Sequence, residues 1–135
     1  MFGISGGIAN FNRRFLNALA SSDMVKSVDL EPRVNIPDLS YSVEKVSGAD
    51  KLSRSKSHYV YDVFTALRKS HSAIICGHIN LYIPALVLSF LKGSPLILIV
   101  HGVDVWTYCN SSFRKWMISR ASLIVSVSEF TVGKI

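Results

Sequence analysis

A length of 135 residues allows one domain, and the chain is 49% apolar with only 18% charged residues. Such a composition can form a hydrophobic core, which excludes a disordered chain. The net charge of +6 comes from scattered Lys and Arg. This charge suits an anionic small ligand, a membrane surface or a nucleic acid without choosing among them, and it equally suits a plain solvated surface.

The first part of the chain predicts a helix, a weak strand and a long loop. Four apolar residues recur at spacings of three and four and predict a helix over residues 7–20, with one apolar face made of Ile8, Phe11, Phe15 and Leu19. Residues 24–30 are predicted to form a weak strand. Residues 33–57 are rich in serine and interrupted by Pro37 and Gly48, so they predict a long polar loop, which at this length is usually functional or disordered.

The second part of the chain alternates helices with strands. The pattern predicts a helix that ends near Ser70, strand 73–77, helix 84–91, strand 96–100, a helix around 113–117, strand 123–127 and a helix that begins at Glu129 with Ser128 as its cap. Residues 96–100 are five consecutive aliphatic side chains, as a strand buried on both faces requires. Regular alternation predicts an α/β fold: a Rossmann-like parallel sheet with helices on both faces and right-handed connections.

Cysteine usage and the absence of a leader favour a cytoplasmic protein. Cys76 and Cys109 are 33 residues apart without a CxxC pair, so both are expected to be reduced thiols. The start lacks the basic and apolar regions of a signal peptide. The apolar run over residues 79–100 is interrupted at residues 92–95, which leaves two pieces too short to cross a bilayer.

Both ends of the chain look cut. A glycine loop opens the sequence without the strand that such loops normally follow, and the last predicted helix is still open at Ile135. We therefore expect residues 1–135 to form a single incomplete Rossmann-like domain whose first strand is missing.

Polar residues follow the predicted strands where ligands usually bind. In doubly wound sheets, ligands lie beyond the carboxyl ends of the strands, and residues 77–80, 101–104 and 128–129 fall there. The Gly6–Gly7 pair opens a helix, so its backbone N–H groups could hold a phosphate; a plain tight turn is an equal alternative. The pair has neither the spacing of a GxGxxG motif nor the lysine of a P-loop.

His101 is the strongest candidate among the polar residues. An imidazole at the end of the most buried strand can contact a sugar hydroxyl or stabilise charge near a leaving group, although a core histidine bonded to backbone is the alternative. Asp104 could orient a hydroxyl or cap a turn. His78 and Asn80 are weaker candidates that favour a structural role.

Several other chemistries lack support in the sequence. Four histidines without clustered cysteines or carboxylates predict no metal site, and neither a DxD pair nor a GxSxG elbow occurs. Phe113 and Trp116 have helical spacing and are expected to pack in a core, so nucleic acid is not an expected partner. A dehydrogenase-type domain, with Glu31 holding a ribose, is disfavoured by the glycine spacing.

Four short motifs together resemble a known family. Gly6–Gly7–Ile8–Ala9 at the start of a helix, Gly77–His78–Ile79–Asn80–Leu81, Val100–His101–Gly102–Val103–Asp104–Val105–Trp106 and Val127–Ser128–Glu129–Phe130–Thr131 are similar to motifs of family 4 glycosyltransferases, above all bacterial members that build surface polysaccharides or glycolipids.

The resemblance implies the N-terminal, acceptor-side half of a GT-B fold, whose C-terminal donor-binding domain is absent from this chain. It implies sugar transfer from a nucleotide-sugar donor to a saccharide or lipid-linked acceptor with retention, without a metal or other cofactor. Gly6 and Gly7 would face the donor phosphates and the acceptor, and His101 would be the catalytic residue at the transferring sugar. The remaining cleft candidates are His78, Asn80, Gly102, Asp104, Ser128 and Glu129.

These expectations leave two functional readings open. The chain is expected to be inactive alone, since half a cleft cannot position two substrates, and to need a missing C-terminal domain or chain as its partner. Contact with the inner membrane face is a further expectation. The alternative is a non-catalytic Rossmann-like module that binds a nucleotide or sugar, or that completes a partner chain.

Overall fold

The computed structural model describes residues 7–33, 45–48, 55–102 and 112–128 as helices joined to short parallel strands. The chain divides into two compact units, Met1–Asp62 and Val63–Ile135. One parallel sheet has two strands and the other has three. The predicted α/β class is therefore confirmed in its coarse form, with small parallel sheets and helices between the strands.

The first helix of the first unit, α1, covers Gly7–Ser21 and confirms the helix predicted over residues 7–20. The predicted face is wrong: its four apolar residues are only half-buried, and the buried residues are Ala9, Asn12, Leu16 and Ala20. The observed buried face is shifted from the predicted apolar face by one residue, which corresponds to about 100° around the helix axis. The alanines are small, so this side can approach its surroundings closely, whereas Phe11 and Phe15 stack on each other at the margin with 6.1 Å between ring centroids.

Two short strands form the sheet of the first unit. Strand β1 is Val28–Asp29, much shorter than the strand predicted over residues 24–30. It pairs in parallel with β2, Val46–Ser47. The Ser47 hydroxyl donates to Asp29 Oδ1 over 2.5 Å and adds a side-chain link to this pair. The range predicted as a polar loop, residues 33–57, therefore contains a strand.

Helix α2 covers Lys56–Thr65 and continues into a 3₁₀ turn, Ala66–Arg68. Ser55 begins the helix, since its hydroxyl accepts the backbone N–H of His58 over 3.1 Å, as an N-cap residue does. The predicted helix end near Ser70 is close to the observed end of the 3₁₀ turn.

The second unit contains a three-stranded parallel sheet: β3 is Ile74–Cys76, β4 is Leu96–Val100 and β5 is Leu123–Ser126. The strand order is β3–β4–β5, with Cys76 opposite Leu98 and Val100 opposite Ser126. β4 has the predicted bounds, lies in the centre and has four buried residues among its five. The order places all three carboxyl ends at one edge.

Two helices connect these strands. Helix α3, Tyr82–Lys92, follows a 3₁₀ turn over Ile79–Leu81 and packs against β3 and β4. Helix α4 is Ser112–Ile118. The side chain of Tyr82 is completely buried, and its hydroxyl donates to the carbonyl of Met117 over 2.5 Å. This hydrogen bond joins the beginning of α3 to the end of α4.

The backbone geometry at the end of α3 explains why Gly93 and Ser94 follow the helix. Gly93 has a φ of +63°, which favours glycine, and its N–H donates to Phe90 while the N–H of Ser94 donates to Ser89. This pair of bonds is a Schellman motif, which satisfies carbonyl groups at a helix end. The Lys92 ammonium also donates to the Leu67 carbonyl over 2.9 Å and ties the helix end to the 3₁₀ turn after α2.

The two faces of the sheet differ in burial. One face is fully buried in β3 and β4 and is formed by Ile74, Cys76, Leu96, Leu98 and Val100. On the other face, Ile75, Ile97 and Leu123 lie opposite one another in one row, and Ile75 and Leu123 are exposed. Helices on both faces of a Rossmann-like sheet therefore stay a prediction.

Serine hydroxyls hold the amino edge of this sheet. Ser122 Oγ accepts the N–H of Leu96 over 3.2 Å, and the Ser122 N–H donates to the Leu96 carbonyl over 2.8 Å. Ser94 Oγ donates to the His71 carbonyl over 2.9 Å. These bonds link the start of β4 to the start of β5 and to the residues before β3, across separations of 26 and 23 residues in the sequence.

Candidate functional site

The carboxyl edge of the β3–β4–β5 sheet brings together two of the predicted polar clusters. Gly77 and His78 follow β3 directly, and His101 and Gly102 follow β4. The neighbouring strands are parallel and in register, so these residues leave the sheet side by side. Four loops were predicted to converge on one edge: the structure places the beginnings of the two after β3 and β4 there side by side, and Ser128 follows β5 at the same edge. The glycine loop of residues 6–7, which was predicted to join them, stays a prediction.

A hydrogen bond links the two clusters. His101 is only 9% exposed, and its Nε2 lies 3.2 Å from the carbonyl oxygen of Gly77. A carbonyl oxygen only accepts, so Nε2 carries the hydrogen and donates. The bond therefore fixes both the ring orientation of His101 and the protonation of Nε2. It also ties the end of β4 to the residue that follows β3.

His78 has a different set of backbone partners. It is 5% exposed, and its Nδ1 accepts the N–H of Asn80 over 3.1 Å, which caps the 3₁₀ turn before α3. Its carbonyl oxygen accepts the N–H of Leu81 over 2.9 Å and the thiol of Cys76 over 3.2 Å. The structural role considered for His78 is therefore visible in these contacts. Asn80 takes part in these contacts through its backbone N–H, and Asn80 itself is exposed.

Cys76 lies beneath this edge as a buried thiol. It is free, 4% exposed, and burial raises its pKa to about 11. At neutral pH it is therefore a protonated, unreactive thiol, in agreement with its predicted role as a small core residue. Cys109 lies outside the described residues.

Gly102 adds open space to the edge. Its φ is +45°, a conformation that favours glycine, and a methyl group placed on its Cα would meet no atom within 4 Å. The glycine is therefore required by the backbone and not by crowding. The side of Gly102 on which a methyl group would lie is therefore open.

Ser128 also follows the carboxyl end of a strand. It is exposed, and its backbone forms a small turn with Ser126: the Ser126 hydroxyl donates to the Ser128 carbonyl over 2.7 Å and accepts the Ser128 N–H over 3.3 Å. The helix that Ser128 was predicted to cap lies outside the described residues, as do Gly6, Asp104 and Glu129.

Gly7 belongs to the first unit, where it is the exposed first residue of α1. Its φ is not positive, and a methyl group on its Cα would meet nothing within 4 Å. Neither the backbone nor packing therefore requires glycine at this position. Its predicted role beside the donor phosphates stays a prediction.

Sequence reasoning missed the partner of His101. The carbonyl of Gly77 is a backbone group, and every residue has the same backbone acceptor whatever its side chain. No residue type in the sequence therefore marks this partner. The one available signal was the pattern of two adjacent strands ending in Gly-His and His-Gly.

The described residues contain no group of three or more His, Cys, Asp or Glu side chains that could hold a metal ion. None of the helices in the described ranges is long and apolar enough to cross a bilayer. Comparisons with protein-family models, with curated proteins and with solved structures found no match to this chain.

Proposed function

We propose that the chain is the N-terminal, acceptor-side domain of a retaining sugar-nucleotide glycosyltransferase with a GT-B fold, acting in the cytoplasm. The observation that carries the proposal is the position of His101. It directly follows the central strand of a parallel sheet, its ring orientation is fixed by Gly77, and open space lies beside Gly102. The order of the four glycosyltransferase-like motifs supports the same proposal.

The proposed reaction moves a sugar from a nucleoside diphosphate to an acceptor hydroxyl. The bond between the anomeric carbon and the phosphate oxygen breaks, a bond to the acceptor oxygen forms on the same face of the sugar, and the proton of the acceptor hydroxyl passes to the departing diphosphate oxygen. In this reaction His101 contacts the transferring sugar, orients a hydroxyl and stabilises the positive charge that develops at the anomeric carbon.

Gly7 has a separate proposed role near the diphosphate. The first N–H groups of a helix have no partner within the helix and lie at its positive dipole end, and both features favour a phosphate at the beginning of the 15-residue helix α1. The absence of a side chain at Gly7 would let the phosphate approach the backbone. Because transfer needs both substrates held together, the chain is expected to bind without appreciable turnover unless a donor-binding domain completes the cleft.

A non-catalytic module is the second candidate. The backbone bonds of His101 and His78 favour it, since both imidazoles already have structural partners at the sheet edge. In this reading the chain binds a nucleotide or a sugar, or completes a partner chain, and the histidines serve only to hold the loops together.

The test is ligand-observed NMR of the whole chain with UDP-glucose, GDP-mannose and, as a comparison, NAD. We expect saturation transfer to the sugar and nucleotide protons of at least one nucleotide sugar and none to NAD. Gly7→Ala should abolish transfer to the nucleotide protons without loss of stability, because its methyl group meets no protein atom.

Two substitutions of His101 separate the catalytic proposal from the structural reading. His101→Gln retains an N–H donor for the Gly77 carbonyl, whereas His101→Ala removes it. If His101 contacts the sugar, both variants lose saturation transfer to the sugar protons. If it only holds the loops, His101→Gln behaves as the unmodified chain, and the catalytic role is wrong. The donor-side roles proposed for Gly7 and His101 fail if the unmodified chain binds neither nucleotide sugar.

A further inference from the structure

Strand β5 forms one edge of the three-stranded sheet. Among the described strands only β4 pairs with it, over four consecutive positions without a bulge. Its residues, Leu-Ile-Val-Ser, carry no charge and include no proline. Edge strands of soluble proteins commonly contain a lysine, a proline or a bulge that prevents another strand from pairing with them. Because β5 has no such feature, its outer edge is open to strand pairing.

The hydrogen bonds to β4 determine which backbone groups of β5 point outwards. The N–H of Ser122, just before the strand, donates to the Leu96 carbonyl. Along a strand, successive residues direct their backbone groups to opposite sides. The even-numbered residues of β5 therefore bond to β4, whereas the N–H and C=O groups of Leu123 and Val125 point away from it. No other described strand pairs with these four outward groups.

The side chains at this edge are apolar and partly exposed. Leu123 is 53% exposed and ends the row that it forms with Ile75 and Ile97 across the sheet. Val127, one residue beyond β5, is 42% exposed. A strand that paired with β5 would cover this apolar surface and satisfy the outward backbone groups at the same time.

We propose that β5 pairs with β5 of a second copy of the chain, antiparallel, about a twofold axis at Ile124. In this register Leu123 lies opposite Val125 of the second copy, and the two residues exchange two hydrogen bonds. The twofold axis repeats this pair, so four hydrogen bonds satisfy all the outward groups of Leu123 and Val125 in both copies. The two sheets then form one continuous sheet of six strands.

The geometry and charge of β5 favour a second copy over other occupants. The outward groups of Leu123 and Val125 are placed symmetrically about Ile124, so the edge is complementary to itself. The nearest cation before the strand, Arg120, lies at opposite ends of the contact in the two copies, separated by at least the length of β5, about 13 Å. This distance exceeds the screening length of about 8 Å in physiological salt. A nucleic acid, in contrast, would find no cation within β5.

This inference is independent of sugar transfer. The contact runs along the outer side of β5, whereas His101 and Gly102 follow the carboxyl end of β4. Failure to bind a nucleotide sugar in the NMR experiment would leave the dimer unaffected, and a monomeric chain could still bind the sugar nucleotide.

The experiment is sedimentation equilibrium of the whole chain at several protein and salt concentrations. We expect a reversible equilibrium between monomer and dimer that added salt does not weaken, because the contact contains no ion pair. A monomer at every concentration would overturn the proposal. Oligomers larger than a dimer would also overturn it, since a twofold contact closes on itself.

Two substitutions test the edge itself. Leu123→Lys should weaken dimerisation by about tenfold or more, because it replaces both Leu123–Val125 pairs by a charge against an apolar side chain. Its matched control is Ile83→Lys on α3, where the native residue is 55% exposed, and it should leave dimerisation unchanged. Equal effects of the two lysines would overturn the proposal.

Val125→Pro removes an outward N–H in each copy and leaves the bonds to β4 in place. An edge strand tolerates proline at such a position. This variant should weaken dimerisation by about thirtyfold, the effect of two lost hydrogen bonds. Urea unfolding establishes whether it remains folded, and Leu123→Lys, at an exposed position, tests the edge independently of that result. A folded Val125→Pro that dimerises like the unmodified chain would overturn the proposal.

Oxidation with diamide tests the register. At the proposed axis the two Ile124 Cα atoms are about 4.5 Å apart, within the range of a disulfide. In a chain carrying Cys76→Ala and Cys109→Ala, Ile124→Cys should therefore give a disulfide-linked dimer. Val127→Cys should not, because its two copies lie about 20 Å apart. Any other pattern of cross-linking would contradict this register and overturn the proposal.

Discussion

Replacing Tyr82 by Phe removes one hydroxyl group from the contact between α3 and α4. The side chain is completely buried, and its hydroxyl donates to the Met117 carbonyl over 2.5 Å. The same carbonyl accepts the N–H of Arg120 over 3.0 Å, so it keeps one donor after the substitution. The expected cost is therefore that of one net hydrogen bond, about 1 kcal/mol, and not the larger cost of a buried group left without any partner.

Urea unfolding followed by circular dichroism measures this cost. We expect Tyr82→Phe to lower the free energy of unfolding by about 1 kcal/mol with an unchanged dependence on urea. The matched control is Tyr61→Phe, which removes the same hydroxyl from a side chain that is 66% exposed. The control should leave the free energy of unfolding unchanged.

Two results would refute the reasoning about Tyr82. If Tyr82→Phe is as stable as Tyr61→Phe, the hydroxyl does not join the two helices as described. If the loss exceeds about 3 kcal/mol, the Met117 carbonyl has no second donor.

Three further substitutions have defined outcomes. Because burial raises the pKa of Cys76 from 9.0 to about 11, its thiol should react with Ellman's reagent at pH 8 only after unfolding; equal rates in both states would contradict its burial. The folded chain binds this proton more tightly than the unfolded chain does, so stability is retained below pH 9 and lost as the pH rises through 11. Relative to Cys76→Ala, the free energy of unfolding should fall by up to about 3 kcal/mol over that window, as measured by urea titrations. Gly93→Ala should cost about 1 kcal/mol because of its positive φ, whereas Gly7→Ala should cost nothing; similar thermal melts for both would contradict the left-handed end of α3.

The parts of the fold that depend on continuous hydrophobicity could be predicted from the sequence. β4 has the predicted bounds because five aliphatic residues in a row have few alternatives to a buried strand. The face of α1 was wrong for a physical reason: hydropathy ranks Phe above Ala, but close packing favours the smaller side chain. β2 was missed because a pair of two-residue strands is held by backbone bonds and leaves no periodic pattern.

The candidate site, like the fold, could be predicted from the sequence only in part. The position of His101 followed from a general rule, since ligand sites in open parallel sheets lie at the carboxyl ends of strands. Its bond to Gly77 did not, because it depends on the lateral order of β3 and β4 and on a backbone acceptor. The roles predicted for Gly6, Asp104 and Glu129 fall outside the described residues and stay predictions.

The serine bonds at the amino edge have a consequence for how the second unit tolerates mutation. Ser94 and Ser122 form hydrogen bonds between neighbouring segments at the opposite end of the strands from His101. Alanine at either serine should lower the melting temperature and leave ligand affinity intact, whereas changes at His101 should affect affinity more than melting. A deep mutational scan would thus show stability effects at the amino edge and affinity effects at the carboxyl edge. Stabilising substitutions could then be accumulated at the amino edge without altering the carboxyl edge, where we propose that the ligand binds.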